Sequence, residues 1–208
     1  GIPQREAAMV PTTSLMPSSA GVLAHRVRLC DGTAIDVRPI RPDDGERLRC
    51  FHARLSSTTI LLRYFHIMPI LSDDLVASFT HVDFVDRMAV VATIGADDAT
   101  AAAQQEIVGL VNYARIAADT AEVAFVVADA WQGKGVATML LYDLAAYAHA
   151  CGFCYLLAIT LRRNLRMLNL LRRCGFPCTL HMRAEDDEVD AWLDIAAAPT
   201  CRLAPLAR

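Results

Sequence analysis

The stretch AEVAFVVADAWQGKGVATML (residues 121–140) joins a strand, a glycine-rich turn and a helix. Its apolar residues at 121–128 predict a strand, and the apolar positions that recur every four residues predict an amphipathic helix over 133–151. Gly133 and Gly135 lie between them. The first N–H groups of a helix lack intrahelical acceptors and carry the positive end of its dipole. The unit therefore predicts an anion site that suits a pyrophosphate.

Two other phosphate-binding loops do not fit this stretch. A P-loop, G-x-x-x-x-G-K-[ST], is absent, and a dinucleotide fingerprint would need a third glycine where Thr138 stands. The motif by itself has an alternative interpretation. The two glycines would then only allow the chain to turn tightly into the helix, with no ligand bound there.

The remaining elements follow from periodicity, caps and breakers on either side. We expect a hairpin around Asp31-Gly32 and then helices over 44–55, from Ser56-Ser57 through Phe65, and from the cap at Ser72 to Thr80. The stretch Pro42-Asp43-Asp44 offers an N-cap to the first of these helices. Further strands are expected at 88–94, 106–116, 155–160, 178–183 and 189–195, a loop at 95–105, and a helix from Asn164 through Cys174. This order predicts an α+β fold with one mixed sheet. The expected organisation is a flexible segment at 1–24, one domain over 25–198 and a flexible tail at 199–208.

Composition bounds the function classes. A hydrophobic fraction of 54% in 208 residues suffices for a core without disulfides or metal, and a net charge of −3 argues against a nucleic-acid partner. No apolar run reaches the ~18 residues that span a bilayer, and the N-terminus lacks the order of a signal peptide. We therefore expect a cytoplasmic protein with no membrane partner.

Seven cysteines, an odd number, show no framework spacing. Cys151 and Cys154 form a C-x-x-C, but no second pair or histidine partner completes a zinc site. The histidines likewise show no metal spacing. We expect buried thiols and no bound metal.

The pattern Gln-x-x-Gly-x-Ala at 132–137 resembles the acyl-CoA signature of the GNAT superfamily, Q/R-x-x-G-x-G/A. The resemblance extends over about residues 26–183. Its N-terminal part is similar to the branch of bacterial protein-lysine acetyltransferases, which includes domains fused to acyl-CoA synthetase-like modules. The matching pieces are Val37 to Asp44, Leu55-Ser56-Ser57, Arg63-Tyr64-Phe65, Thr80 to Ala92, Ala121 to Val127, Asn164 with Met167-Leu168, and Cys174-Gly175-Phe176.

The resemblance implies a mixed, mostly antiparallel sheet whose central strands splay, and acetyl-CoA as acyl donor. The pantetheine arm would lie in the gap and pair with the backbone of the strand, with Asn164 near it or acting as a helix cap. The residues implied to hold the donor are Phe125, Val126, Val127, Gln132, Gly133, Lys134, Gly135, Val136, Ala137 and Asn164.

Attack of an amine on a thioester requires a neutral amine, so a general base is expected. The resemblance points to Glu122, on the strand just before the splay. Its apolar neighbours should desolvate the carboxylate and make it a stronger base; the alternative is a strand-end glutamate that faces solvent. Many members carry a tyrosine four residues before the glycine of "GF" to protonate the thiolate, and here that position is Leu171.

Three functions remain open at this point: a protein-lysine acetyltransferase, whose partner could be an acyl-CoA synthetase, a small-amine acetyltransferase, and a non-catalytic acyl-CoA-binding module. A closed acidic pocket would favour a polyamine and an open groove a protein. Oligomeric state is not predicted.

Five arginines form a basic cluster. We expect it to be a solvated helix face whose charge is balanced by the acidic run 185–190. The alternative is that the cluster contacts the donor or the acceptor. Its members are Arg162, Arg163, Arg166, Arg172 and Arg173.

Overall fold

The computed structural model describes residues 24–29, 31–95, 105–184 and 187–197. The expected flexible segment at 1–24, apart from residue 24, and the expected tail at 199–208 lie outside the described residues. So does most of the expected loop at 95–105.

An eight-stranded sheet forms the centre of the domain, in the order β1-β2-β3-β4-β5-β6-β8-β7. Every neighbouring pair is antiparallel except β5 and β6, which are parallel. This confirms the predicted α+β fold with one mixed, mostly antiparallel sheet. The strands are β1 (His25–Arg28), β2 (Ala34–Pro39), β3 (Arg87–Ile94), β4 (Glu106–Ala117), β5 (Thr120–Val127), β6 (Tyr155–Leu161), β7 (Cys178–Met182) and β8 (Glu188–Asp194).

Five α-helices flank the sheet: α1 (Gly45–Ala53), α2 (Ser57–Tyr64), α3 (Asp73–Thr80), α4 (Val136–Ala150) and α5 (Leu165–Arg173). Three of them carry side-chain caps at the predicted residues. Ser56, Ser72 and Asn164 each accept a hydrogen bond from the backbone N–H three residues further on. No helix in the described part of the chain is long and apolar enough to cross a membrane.

Asp44 stands at the N-cap position of α1, within the stretch expected to offer a cap, but its side chain accepts no capping hydrogen bond from that helix. Its buried carboxylate accepts two hydrogen bonds from Arg38, at 2.6 and 2.8 Å, and one from the Arg41 N–H at 2.8 Å. Burial alone would raise the pKa of Asp44, but these bonds outweigh it and hold the pKa below its usual value. The carboxylate therefore ties the start of α1 to β2 instead of satisfying the helix terminus.

The predicted start of α4 at residue 133 is also wrong, because α4 begins at Val136. Gly133 has a φ of +77° and Gly135 a φ of +89°. These left-handed conformations cannot continue a right-handed helix, and glycine adopts them without steric cost. The two glycines thus form a separate turn before the helix.

Two buried clusters pack on opposite faces of the sheet. The helices α4 and α5 contribute Leu140, Leu144 and Leu171 to one face. The other face carries Val126 and Leu110 of the sheet beneath the helices α1 to α3. Because side chains alternate along a strand, Glu122 and Ala124 lie on the same face as Val126, beneath α1 to α3.

The central strands splay as predicted. Thr120 to Val123 pair with Tyr155 to Ala158, and the pairing of β5 with β6 stops there. The last residues of β6 continue to pair with β8. The edge of β5 at 124–127 that faces β6 is therefore left without a strand partner, which opens a gap in the sheet.

Candidate active site

A cleft of about 1100 Å³ fills the gap between β5 and β6. Its walls also include α2 and the N-terminal ends of α4 and α5. All the site residues expected from the sequence line it, except Lys134. Those that do are Glu122, Phe125, Val126, Val127, Gln132, Gly133, Gly135, Val136, Ala137 and Asn164.

The glycine turn and the first turn of α4 form one end of the cleft. Gly133 and Gly135 are exposed, and a Cβ added to either would meet no heavy atom within 4 Å. The first turn of α4 holds no acidic residue. In the described part of the chain, no hydrogen-bond acceptor engages the N–H groups of Gly133, Lys134 or Gly135. This end can therefore bring several backbone N–H donors to an anion.

The Lys134 ammonium lies outside the cleft, paired with Asp31, and not at the expected anion site. Its ammonium lies 3.2 Å from a carboxylate oxygen of Asp31 and 4.9 Å from the ring centroid of Trp131. Hydrogen bonds from Thr33, together with Lys134, lower the pKa of Asp31 to about 2. The charge that sequence analysis assigned to the anion site is thus already paired outside the cleft.

Asp129, directly after β5, anchors the turn to the start of α2. Its carboxylate accepts hydrogen bonds from the Ser56 N–H at 2.9 Å, the Ser56 hydroxyl at 2.7 Å and the Thr59 hydroxyl at 2.8 Å. Burial acts to raise the pKa of Asp129, but these donors lower it below its usual value. Asp129 is thereby occupied within the protein.

Gln132 links this anchor to the far wall. Its side-chain amide donates to the Thr59 hydroxyl at 3.1 Å and to the Val127 carbonyl at 3.0 Å, and it accepts from Arg166 at 2.7 Å. The conformation of the turn is therefore fixed from three sides. The carbonyl of Val127 is engaged by Gln132, so it is not open to a ligand.

Asn164 combines burial with a structural role. It is 9% exposed and caps α5 through its side-chain oxygen, 3.2 Å from the Met167 N–H. Its position in the wall of the cleft is compatible with the second role that the resemblance implied, because the side-chain NH₂ group remains available.

Glu122 lies at the other end of the cleft from the glycine turn. Val127 lies five residue steps further along β5, or roughly 17 Å at ~3.4 Å per step. The side chain is exposed, so the expected desolvation by apolar neighbours is wrong. Those neighbours alternate to the opposite face or are small, and the mouth of the cleft gives the carboxylate access to water.

Among the residues that the structure describes, no tyrosine lines the cleft. The Tyr113 hydroxyl donates to the Val85 carbonyl at 3.2 Å, and that of Tyr147 to the Phe84 carbonyl at 2.8 Å. Leu171 is completely buried in the core beneath α4. The position that carries a tyrosine in many relatives is therefore a packing residue here.

The five described cysteines are free thiols, and none lines the cleft: Cys50, Cys151, Cys154, Cys174 and Cys178. Burial raises the pKa of the Cys174 thiol. Among the described residues, no group of three or more histidine, cysteine or acidic side chains is placed to hold a metal ion.

Two of the five arginines of the basic cluster line the cleft. Arg163 and Arg166 line the cleft, whereas the acidic residues Glu188 and Asp190 pair with Arg183, at 2.5 and 2.8 Å. Described members of the acidic run thus pair outside the cluster, contrary to the balance that the sequence suggested. Arg63, which belongs to the stretch Arg63-Tyr64-Phe65 of the resemblance but had no expected role, also lines the cleft.

The description "Acetyltransferase (GNAT) family" belongs to the family model that matches residues 69–176, just over half of the chain. The chain belongs to the GNAT family of acetyltransferases. Membership supports acyl-CoA-dependent acetyl transfer. Acetyltransferase PA5475 of Pseudomonas aeruginosa is 30% identical over 149 residues, which are 71% of this chain and 77% of that protein.

Solved structures agree with this assignment. The GNAT domain of S. lividans PAT is 37% identical, with a TM-score of 0.76 over 85% of this chain and 99% of that domain. This is consistent with the protein-lysine acetyltransferase branch of the GNAT fold. The acetyltransferase yncA of Salmonella typhimurium, solved with acetyl-CoA, is 18% identical with a TM-score of 0.58, over 80% of this chain and 99% of that one. It shares the fold.

Proposed function

We propose that this GNAT enzyme transfers an acetyl group from acetyl-CoA directly to the side-chain amine of a protein lysine. One observation carries the proposal. A single cleft holds unoccupied backbone N–H donors at the glycine turn and a solvent-accessible carboxylate, Glu122, at its opposite end. Donor and acceptor can therefore approach each other along the unpaired edge of β5.

The donor occupies the glycine-turn half of the cleft. Its pyrophosphate accepts hydrogen bonds from the N–H groups of residues 133–137, aided by the dipole of α4, whereas the expected N–H of Gln132 already donates to the Asp129 carbonyl at 3.3 Å. Its pantetheine amides pair with the edge of β5 at 125–127, with Asn164 across the gap. The binding energy then comes mostly from backbone groups, because Lys134 is paired with Asp31.

The chemistry begins with a proton transfer. A lysine ammonium, with an ordinary pKa of ~10.4, gives its proton to Glu122 directly or through water. The neutral amine attacks the thioester carbon, and a backbone N–H at the splay stabilises the oxyanion. The carbon–sulfur bond breaks, the electron pair leaves with sulfur, and the second amine proton goes to solvent or to the thiolate. In this scheme the thiolate leaves without a proton from a tyrosine, since Leu171 occupies the position where the resemblance implied one.

Direct transfer is supported by where the thiols lie. A covalent acyl-enzyme needs a nucleophile within reach of the thioester and a base beside it. None of the five described cysteines lines the cleft. This arrangement supports the amine itself as the attacking group.

The charges of the cleft support a lysine on a protein over a polyamine. Glu122 and Asp129 are the acidic residues in its lining, and Asp129 is bound by Ser56 and Thr59. Arg63, Arg163 and Arg166 also line it. A small polycation would meet more positive than negative charge. The similarity to the S. lividans PAT domain further supports this acceptor class.

The test is incubation with labelled acetyl-CoA and two acceptors, an AMP-forming acyl-CoA synthetase and spermidine, followed by mass spectrometry. We expect acetyl-lysine on the protein and little acetyl-spermidine, with no product from a Gly135→Glu control. Acetylation of spermidine alone would overturn the acceptor assignment. Tight acetyl-CoA binding without transfer to any amine would instead indicate a non-catalytic acyl-CoA-binding module.

A further inference from the structure

Arg166, in the first turn of α5, reaches across the gap in the sheet to the glycine turn. Its Nη1 donates to the side-chain oxygen of Gln132 at 2.7 Å. Gln132 follows β5 and directly precedes Gly133, whereas Arg166 follows β6. The hydrogen bond thus joins two walls of the cleft at its donor end, where β5 and β6 no longer pair.

The orientation of Gln132 fixes the position of this guanidinium. The side-chain nitrogen of Gln132 donates to the Val127 carbonyl at 3.0 Å and to the Thr59 hydroxyl at 3.1 Å. Because a carbonyl can only accept, this nitrogen faces Val127 and the side-chain oxygen is left to face α5. Arg166 is therefore held beside the glycine turn by the protein itself.

The positive charge of Arg166 is not balanced by an acidic side chain. In the described part of the chain its guanidinium pairs with no carboxylate, and its contact is the neutral amide of Gln132. Of the acidic residues that line the cleft, Asp129 is bound by the start of α2 and Glu122 lies at the acceptor end. A guanidinium carries several N–H donors, so most of those on Arg166 can reach a ligand.

The start of α5 offers further donors but no negative charge. Its first turn contains no acidic residue, although the positive end of the helix dipole disfavours a cation such as Arg166 there. Asn164, only 9% exposed, lines the cleft, and its side-chain NH₂ group has no partner among the described residues. A bound anion would be attracted to all of these groups and would offset the repulsion between Arg166 and the dipole.

We propose that Arg166 donates hydrogen bonds to the pyrophosphate of the acyl donor, from the wall that faces the glycine turn. This inference rests on the proposed function, which places the pyrophosphate at that turn. Arg166 then supplies the side-chain charge that Lys134 does not, since Lys134 is paired with Asp31 outside the cleft. The planar fork of a guanidinium suits two phosphate oxygens at once. Arg163 also lines the cleft, but no side-chain hydrogen bond holds it among the described residues.

The experiment is calorimetric titration of two donors, acetyl-CoA and acetyl-CoA without its 3′-phosphate, into wild type and Arg166→Met. Methionine keeps the length of the side chain and a high helix propensity but removes the charge. We expect Arg166→Met to weaken acetyl-CoA binding about 10-fold at low salt. The loss should be the same for both donors, because both carry the pyrophosphate. It should shrink between ~50 mM and ~500 mM salt, because salt screens an exposed charge.

Arg172→Met is the matched control. Arg172 is also an exposed arginine of α5 and belongs to the same basic cluster, but it does not line the cleft. This variant should bind both donors as wild type does. Melting curves should show that both variants remain folded, since both side chains are exposed.

A double variant separates direct contact from an effect through Gln132. In a Gln132→Met background, Arg166→Met should still weaken acetyl-CoA binding, because the guanidinium itself touches the phosphates. If it causes no further loss there, Arg166 acts only by holding Gln132, and the proposed contact is refuted.

Failure of this inference is distinguishable from failure of the proposed function. If Gly135→Glu binds acetyl-CoA as wild type does, the pyrophosphate does not lie at the turn and the proposed donor site is wrong. If Gly135→Glu loses binding but Arg166→Met keeps the wild-type affinity, the role of Arg166 alone is overturned. A loss seen only with the donor that has a 3′-phosphate would also overturn it, because Arg166 would then contact that phosphate. A loss that salt leaves unchanged would show that charge is not its cause.

Discussion

Gly135 and Gly152 lie at opposite ends of α4 and offer a matched pair of substitutions. Gly135 has a φ of +89° and Gly152 a φ of +90°, and an added Cβ at either position meets no heavy atom within 4 Å. Replacing either glycine with glutamate therefore imposes the same backbone cost without a clash. Only Gly135 lies in the cleft, at the proposed pyrophosphate site.

The two effects have different magnitudes. A side chain in the left-handed region costs about 1–2 kcal/mol, which lowers the Tm by roughly 2–8 °C in a domain of this size. At position 135 the new carboxylate also lies close to the pyrophosphate. At ~5 Å and an effective dielectric of ~20, the repulsion is about 3 kcal/mol per unit of phosphate charge. That is a loss of at least ~100-fold in affinity.

The assay is calorimetric titration of acetyl-CoA into both variants at equal salt, with melting curves for each. We expect a small fall in Tm for both, larger in Gly152→Glu because its carboxylate lies at the negative end of the α4 dipole, and a loss of binding in Gly135→Glu alone. If the folded Gly135→Glu protein binds acetyl-CoA as tightly as Gly152→Glu, then the donor's pyrophosphate does not lie at this turn.

Three further predictions concern charges and thiols. Lys134→Ala should change acetyl-CoA affinity by less than ~3-fold in calorimetry, because the ammonium is paired with Asp31; a tenfold loss would show that it binds the donor. Asp44→Ala should lower the free energy of unfolding by about 3–5 kcal/mol in urea titrations, because it leaves Arg38 buried without its partner. The folded pKa of Asp44 lies below its usual value. Its contribution to folding stability is therefore complete above an ordinary aspartate pKa of ~3.9 and is lost as pH falls through the lowered value. Wild type should accordingly lose more stability in acid than the variant. Quenching a reaction with labelled acetyl-CoA should leave no acetyl group on Cys151, Cys154 or Cys174, and a label there that passes on to an acceptor would contradict direct transfer.

Local sequence signals predicted most of the fold because the forces involved act over a few residues. Ser56, Ser72 and Asn164 were identifiable as caps, since a cap requires only a side-chain oxygen and an N–H three residues away. The apolar run at 121–128 placed β5 to within one residue at each end. The start of α4 was misplaced because a glycine is compatible with both a helix and a left-handed turn, and the sequence does not distinguish them.

The candidate site was predicted only where it is contiguous in sequence. The turn at 132–137 meets this condition, whereas the contact of Arg63 with Asn112 joins residues far apart in the chain. The burial of a charged side chain depends on what packs above it, so the exposure of Glu122 could not be inferred from its strand neighbours. The pairing of Lys134 with Asp31 likewise depends on the position of the β1–β2 turn beside α4.

Glu122 carries the central claim about catalysis, and a single-turnover experiment tests it most directly. Wild type and Glu122→Gln are each saturated with labelled acetyl-CoA, mixed with excess acceptor at neutral pH, and followed by the rate of acetyl-lysine formation. Glutamine keeps size and hydrogen bonding but cannot accept the amine proton, so we expect a rate lower by ~10²–10⁴-fold with donor affinity unchanged. A Glu122→Gln enzyme that forms acetyl-lysine at the wild-type rate would contradict the role of Glu122 as the base.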